Sequence, residues 1–151
     1  RDLAMRNEYA KKALEANPSH PDTNFDYGLS LCNDKKFEEA LIYINKAIEM
    51  DPANKDRFEG FLPLLFMAMR DLENSLKWLL LMNEQSPHSR YLGWLSCTYA
   101  HLDEMEKSKE HLKKFLQERP EIKTLTDYRS VAPAIAEEFI VEGLRKAGMP
   151  E

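Results

Sequence analysis

Tyr27-Gly28-Leu29-Ser30-Leu31, followed by Ala40-Leu41-Ile42-Tyr43-Ile44-Asn45-Lys46-Ala47 and closed by Asp51-Pro52, is the stretch that decides the fold. Its apolar residues recur every three or four positions: Phe37, Ala40, Leu41, Ile44, Ala47 and Ile48 share one side, while Lys36, Glu38, Glu39 and Lys46 take the other. That is an amphipathic helix with one face seeking a core. Upstream, Tyr27, Gly28 and Leu31 mark another helix, and the polar Asn33-Asp34-Lys35 between the two is a turn. Proline sets the punctuation. Pro18, Pro52, Pro87 and Pro120 stand 34, 35 and 33 residues apart, and other columns keep the same step. Five residues before each proline are Ala13, Ala47, Met82 and Phe115; eight before are Ala10, Ile44, Leu79 and Leu112. Twelve before are Arg6, Ala40, Ser75 and Ser108; fifteen before are Leu3, Phe37, Leu72 and Met105. A two-helix unit recurs along the chain, and each copy of the stripe is expected to be buried.

The period and the pattern Tyr27-Gly28-x-x-Leu31, Ala40, Ile44, Ala47, Pro52 resemble the tetratricopeptide repeat. The likeness implies an all-α solenoid of antiparallel helix pairs with a C-terminal capping helix. The expected elements are a lone helix over 2–16, then pairs 21–33/37–50, 57–69/72–85 and 90–102/105–118. A last helix follows, with Pro133 in its first turn, Arg145 and Lys146 in its last, and Gly148 as its stop. In domain terms this is a half repeat 1–18, repeats 19–52, 53–87 and 88–120, and an extension over 121–151. Pro63 falls inside a helix, where the ring removes a hydrogen bond at ~3 kcal/mol. The middle pair is therefore expected to be irregular near residues 52–63. The stripe Ile135, Ala136, Phe139, Ile140, Leu144 and Ala147 is expected to cap the end of the stack.

Composition narrows the function. A net charge of −5 gives no basic footprint for nucleic acid or an anionic membrane surface. The longest apolar stretch, Phe61–Met69, is far short of the roughly 20 residues that span a bilayer. The chain opens on Arg1 with no signal segment, which is the expectation for a piece of a longer polypeptide. Two cysteines make no disulfide framework, so a reduced, cytoplasmic setting is expected. His20, His88, His101 and His111 are scattered without ligand spacing. Glu38-Glu39 and Glu137-Glu138 are sequence neighbours, which diverge on a helix. No phosphate loop or nucleophile motif is present, so no catalytic residue, cofactor or metal is expected.

Binding is the remaining reading, with a protein, a peptide or another domain of the same polypeptide as partner. The first helix of each pair lines the concave face of a solenoid. Similarity to peptide-binding tetratricopeptide domains places Asp22, Phe25, Leu29, Cys32 and Asn33 there from one unit. Arg57, Gly60, Leu64 and Met67 follow from the next, and Arg90, Gly93, Cys97 and His101 from the last. Chaperone-binding members hold a peptide carboxylate with Lys and Asn at several of these positions. Phe25, Leu29 and Cys97 stand here instead, so an apolar segment or a helix of the same protein is the expected ligand. A second surface comes from Leu80 and Leu81 beside Trp78: Asn45 and Lys46, or Lys113 and Lys114, hold the leucine positions in neighbouring units. This patch is expected to make a homodimer contact.

The stretch Tyr91-Leu-Gly-Trp-Leu-Ser-Cys-Thr-Tyr-Ala-His-Leu-Asp-Glu-Met-Glu-Lys-Ser108, then Phe115 to Pro120, and the ending Glu142-Gly-Leu-Arg-Lys-Ala-Gly-Met-Pro-Glu151 carry a further likeness. They resemble the C-terminal repeat regions of bacterial class III adenylate/guanylate cyclases, with related tails on winged-helix transcriptional regulators. The resemblance covers about residues 52–151 and implies a regulatory or assembly segment behind a catalytic or DNA-binding domain. It carries no catalytic residue onto this chain, because the metal-binding acidic pair of that chemistry is not here. The alternative is a free-standing repeat adaptor for complex or envelope assembly.

Overall fold

The computed structural model describes residues 2–151, and all regular structure among them is helical. The chain forms two compact units, Arg1–Leu65 and Phe66–Glu151. The first contains α1 (Asp2–Ala16), α2 (Pro21–Asn33), α3 (Phe37–Met50), a single 3-10 turn over Pro52–Asn54, and α4 (Asp56–Glu59). The chain passes to the second within α5 (Leu62–Ala68). There follow α6 (Leu72–Gln85), α7 (Ser89–His101), α8 (Met105–Glu118), α9 (Leu125–Arg129) and α10 (Glu137–Lys146).

In the first unit α2 and α3 fold back on one another. Pro21 opens α2, where its missing N–H is no loss, and His20 caps it by accepting from the Asp22 N–H at 3.2 Å. The pair closes on Gly28: a Cβ there would stand 2.9 Å from Ile44 Cγ1 and 3.2 Å from the Ala40 carbonyl. Ala40, Ile44 and Ala47 are all 0% exposed, so the column before Pro52 is core, as its period implies. Tyr27 meets Tyr43 edge to face, with centroids 4.7 Å apart.

The same column in α1 behaves differently. No described residue of α1 is buried; Leu3 is 56% exposed, and Arg6 and Ala13 are exposed as well. The expectation that every copy of the stripe finds a core is corrected here. α1 turns Asn7, Ala10 and Leu14 inward instead, and Asn7 donates to Asp34 and accepts from Asn33, which fixes its rotation on α2.

The expected helix over 57–69 is two pieces, α4 and α5, separated at Gly60 and Phe61. Pro63 is the second residue of α5, where the absent N–H needs no helical partner. The irregularity expected near 52–63 is thus resolved by breaking the helix rather than straining it.

The second unit is built around α7, in which Gly93 to Ala100 are all buried, and so is Tyr91. Ser96 and Ser108 tie α7 to α8 reciprocally, each hydroxyl donating to the other residue's carbonyl at 2.8 Å. Ser75 occupies the column of Ser108 and is also 0% exposed, yet its hydroxyl has no partner. A satisfied buried hydroxyl contributes about 1 kcal/mol and an orphan costs a similar amount. Ser108→Ala should therefore lower the stability of this unit, and Ser75→Ala should leave it unchanged or raise it. Urea titrations followed by tryptophan fluorescence check this, since Trp78 and Trp94 both belong to this unit. Equal losses in the two variants would refute it.

α10 starts at Glu137, four residues beyond Pro133, which lies in the preceding turns rather than in the helix. Its stop is as expected: Gly148 has φ +99°, a conformation that favours glycine. Phe139, Ile140, Leu144 and Ala147 are at most 3% exposed. They pack on α7, the first helix of the last pair, rather than simply covering the end of the stack. The end of the chain is tied down where the Leu125 N–H donates to the Pro150 carbonyl at 2.7 Å.

Candidate binding faces on the first helices

The residues expected on one continuous surface divide between the two units. In the first, Asp22, Phe25, Leu29 and Asn33 recur along one side of α2 at helical spacing. Phe25 is half-buried, 5.1 Å from the Phe58 ring and 6.1 Å from the Phe61 ring, centroid to centroid. Arg57 pairs with Asp22 and lies 4.6 Å over the Phe58 ring. Leu29 and Leu64 are half-buried, and Asn33 is exposed and donates to Asn7 at 3.2 Å. The result is an aromatic cluster under an Arg–Asp pair, with a partly open leucine and the exposed Asn33 amide along α2. Cys32 is not on that surface: it is 7% exposed, and burial pushes its thiol up to about 12.

In the second unit the expected surface residues are largely closed. Met67 and Cys97 are 0% exposed, which corrects their assignment to an open face. The reason for Cys97 is α10. A Cβ on Gly143 would fall 2.5 Å from Cys97 Cβ and 2.6 Å from its carbonyl oxygen, so glycine lets α10 lie directly on α7. Burial drives the Cys97 thiol upward and leaves it inert. His101 is also taken up by α10: its ring stacks on Phe139 at 4.2 Å and its Nε2 donates to the Phe139 carbonyl at 2.8 Å. Arg70 pairs with Glu142 at 3.0 Å and reaches over the same Phe139 ring. On the next turn Trp94 Nε1 donates to Tyr128 Oη at 3.1 Å, a contact not foreseen from the sequence. A Cβ on Gly93 would stand 3.3 Å from the Phe115 ring, and of the residues expected here only Arg90 stays exposed, over Tyr91 and Trp94. Trp78 and Leu81 of α6 are half-buried, and Leu80 is 45% exposed.

A column that was not singled out from the sequence emerges here. Nine residues before each repeat proline stand Tyr9, Tyr43, Trp78 and His111. Tyr43 packs on Tyr27 of its own first helix, and His111 packs on Tyr99 of its own, with centroids 5.2 Å apart. The signal was legible as a ring at fixed offset, but an apolar count breaks the column at His111, the one ring of the four that is not counted as apolar.

Burial pulls the His101 pKa below its usual range, helped by Lys146 and Arg70 and opposed by the Phe139 carbonyl and Glu142. A base whose folded value is depressed binds its proton more readily when unfolded. Its contribution is fully present above the ordinary histidine value of about 6.5 and is lost as pH falls toward the folded value. Between pH 7 and 5 the second unit should lose more stability with His101 than in His101→Gln, which keeps an N–H for Phe139. Identical pH slopes in the two proteins would contradict this.

Among the described residues no helix is long and apolar enough to cross a membrane, and no three His, Cys, Asp or Glu side chains gather where a metal could be held. Residues 21–54 and 89–122 match the model of the tetratricopeptide repeat, which describes a helix pair and not a catalytic family. The two matched segments are α2/α3 and α7/α8 with the residues that follow each pair. Both segments are thus similar to tetratricopeptide repeats, a class that generally binds protein or peptide partners. No curated protein relative matches the chain.

Proposed function

We propose that this chain is a non-catalytic protein-interaction module that takes a polypeptide on the α2 face of its first unit. The observation that carries the reading is a contrast between its two matched repeats. α2 leaves Phe25 and Leu29 half open between Arg57, Asp22 and Asn33, whereas the corresponding side of α7 already holds α10. An apolar strip with a guanidinium and an amide at its edges suits an apolar segment that ends in, or carries, a hydrogen-bonding group. Leu29→Lys should abolish capture of a specific polypeptide by the full chain, while Asn45→Lys on the exposed side of α3 should not. Capture unaffected by Leu29→Lys would refute the assignment.

The finer reading is a cytoplasmic regulatory or assembly tail of a bacterial class III nucleotide cyclase. Its support is the resemblance of residues 91–108 and 142–151. The closing Gly-Leu-Arg-Lys-Ala-Gly-Met-Pro has a structural rationale in this chain, since Gly143 admits α10 to Cys97, Leu144, Ala147 and Met149 are buried, and Gly148 supplies the turn. A free-standing adaptor for complex or envelope assembly, or a tail on a winged-helix regulator, would use the same face. The isolated chain should neither cyclise nor hydrolyse ATP or GTP with magnesium or manganese present; cyclic nucleotide formed by clean protein would end this reading. Leu80 with Trp78 and Leu81 is proposed as a homodimer contact. Light scattering of the chain and of Leu80→Lys tests it, and a monomer at high micromolar concentration would exclude it.

A further inference from the structure

α1 carries three of the most exposed large apolar side chains in the described protein: Leu3 at 56%, Met5 at 48% and Tyr9 at 64%. Helix stability alone does not call for them, since Asp2–Arg6 and Glu8–Lys12 already supply the spaced ion pairs of a solvated helix. The repeat register shows what they match. Arg6, Tyr9, Ala10 and Ala13 of α1 stand 34 residues before Ala40, Tyr43, Ile44 and Ala47 of α3. In α3 that set is the face applied to α2: the two alanines and the isoleucine are 0% exposed, and Tyr43 meets Tyr27. In α8 the same register holds Ser108, His111, Leu112 and Phe115: Ser108 bonds Ser96, His111 meets Tyr99, Phe115 lies against Gly93, and Leu112 is buried. In α1 Arg6, Tyr9 and Ala13 have no such partner. The Asn7 contacts to Asn33 and Asp34 turn a different side of α1 toward α2 and leave Arg6, Tyr9 and Ala13 in solvent.

We propose that α1 is the second helix of a helix pair, and that its Arg6–Tyr9–Ala13 face receives a first-type helix carried ahead of it on the same polypeptide. The occupant is defined by what α2 and α7 present at the equivalent places: a small residue such as Gly28 or Ser96 at the crossing, and an aromatic ring to meet Tyr9 as Tyr27 and Tyr99 meet theirs. Placement in cis follows from the two complete pairs, where a three-residue turn joins the helices: Asp34–Lys36 between α2 and α3, Leu102–Glu104 between α7 and α8. Lys35 and Asp103 take positive φ in those turns, at 58° and 59°, so one turn geometry serves both. This inference stands apart from the α2 face and from any partner bound there.

The test grafts a copy of residues 17–35 directly ahead of Asp2, which puts the copied helix and turn in register with α1, and measures amide exchange in α1 by mass spectrometry. The graft should slow α1 exchange by about tenfold or more relative to the same 151 residues without it. Tyr9→Lys should remove that protection in the grafted protein and leave exchange in the unmodified chain unchanged. Unchanged α1 exchange on grafting, in a protein that keeps the helix content of the 151-residue chain, would overturn the proposal. So would a concentration-dependent dimer of the unmodified chain that protects α1, since a second copy would then be the occupant.

Discussion

Gly143→Ala is expected to destabilise the second unit by about 2–4 kcal/mol, although alanine is the better helix former. The propensity gain at a mid-helix position is about 1 kcal/mol. Against it stands a methyl that would fall 2.5 Å from Cys97 Cβ, 2.6 Å from its carbonyl oxygen and 2.7 Å from its Cα. Those are backbone atoms and a Cβ, not the flexible end of a side chain, so α10 itself must move. Moving it disturbs Ile140 and Leu144, both 0% exposed, together with the His101–Phe139 stack, and overpacking of that kind exceeds the propensity gain. Gly28→Ala should cost less, because the first atom met is the movable Ile44 Cγ1 at 2.9 Å. Gly60→Ala meets only the Asp56 carbonyl at 3.5 Å and should be neutral. Urea unfolding read by tryptophan fluorescence reports Gly143→Ala, and helical circular dichroism reports the other two. A Gly143→Ala protein as stable as the parent would show that α10 does not lie on α7.

Ala47→Arg is expected to unfold the α2/α3 pair, with a loss of more than ~3 kcal/mol, because it places an unpaired cation where the side chain is now fully buried. Lys46→Arg is the control one residue away. Lys46 is exposed, with its ammonium 4.5 Å over the Tyr43 ring, and arginine keeps both the charge and the stacking partner. Amide exchange across α3 separates the two variants without assuming that both units unfold together. Equal protection in the two would mean that the stripe runs along a different side of α3.

Those predictions follow the division between what periodicity reveals and what it does not. The bounds of α2, α3, α6 and α8 agree with the expected spans because each has a strong apolar period and a cap or turn beside it, such as Pro21 after His20 or the Asp71 carboxylate accepting from the Asn74 N–H. α1 shows the limit of that reasoning. Its column matches those of α3 and α8, but a column states which face seeks a partner and not whether one is present. The start of α10 was misplaced because Pro133 suits a first helical turn as well as the turn before one. Most of the second binding face was illegible for a different reason. Gly143 reads as a weak point in a helix until Cys97 is found against it, and nothing local in either segment announces that contact. Cys97 and His101 were therefore placed on an open surface by similarity to peptide-binding tetratricopeptide domains, when the chain's own last helix covers them.

Site-specific photo-crosslinking tests the central claim most directly, with a benzophenone side chain replacing Leu29 in one full-length protein and His101 in another, irradiated in cells. The claim is that the α2 face is open to a foreign polypeptide and the α7 face is occupied from within. Position 29 should yield a discrete larger adduct with a second polypeptide, and position 101 should yield cross-links only to the α10 segment of the same chain. Foreign adducts from position 101 with none from position 29 would contradict the account.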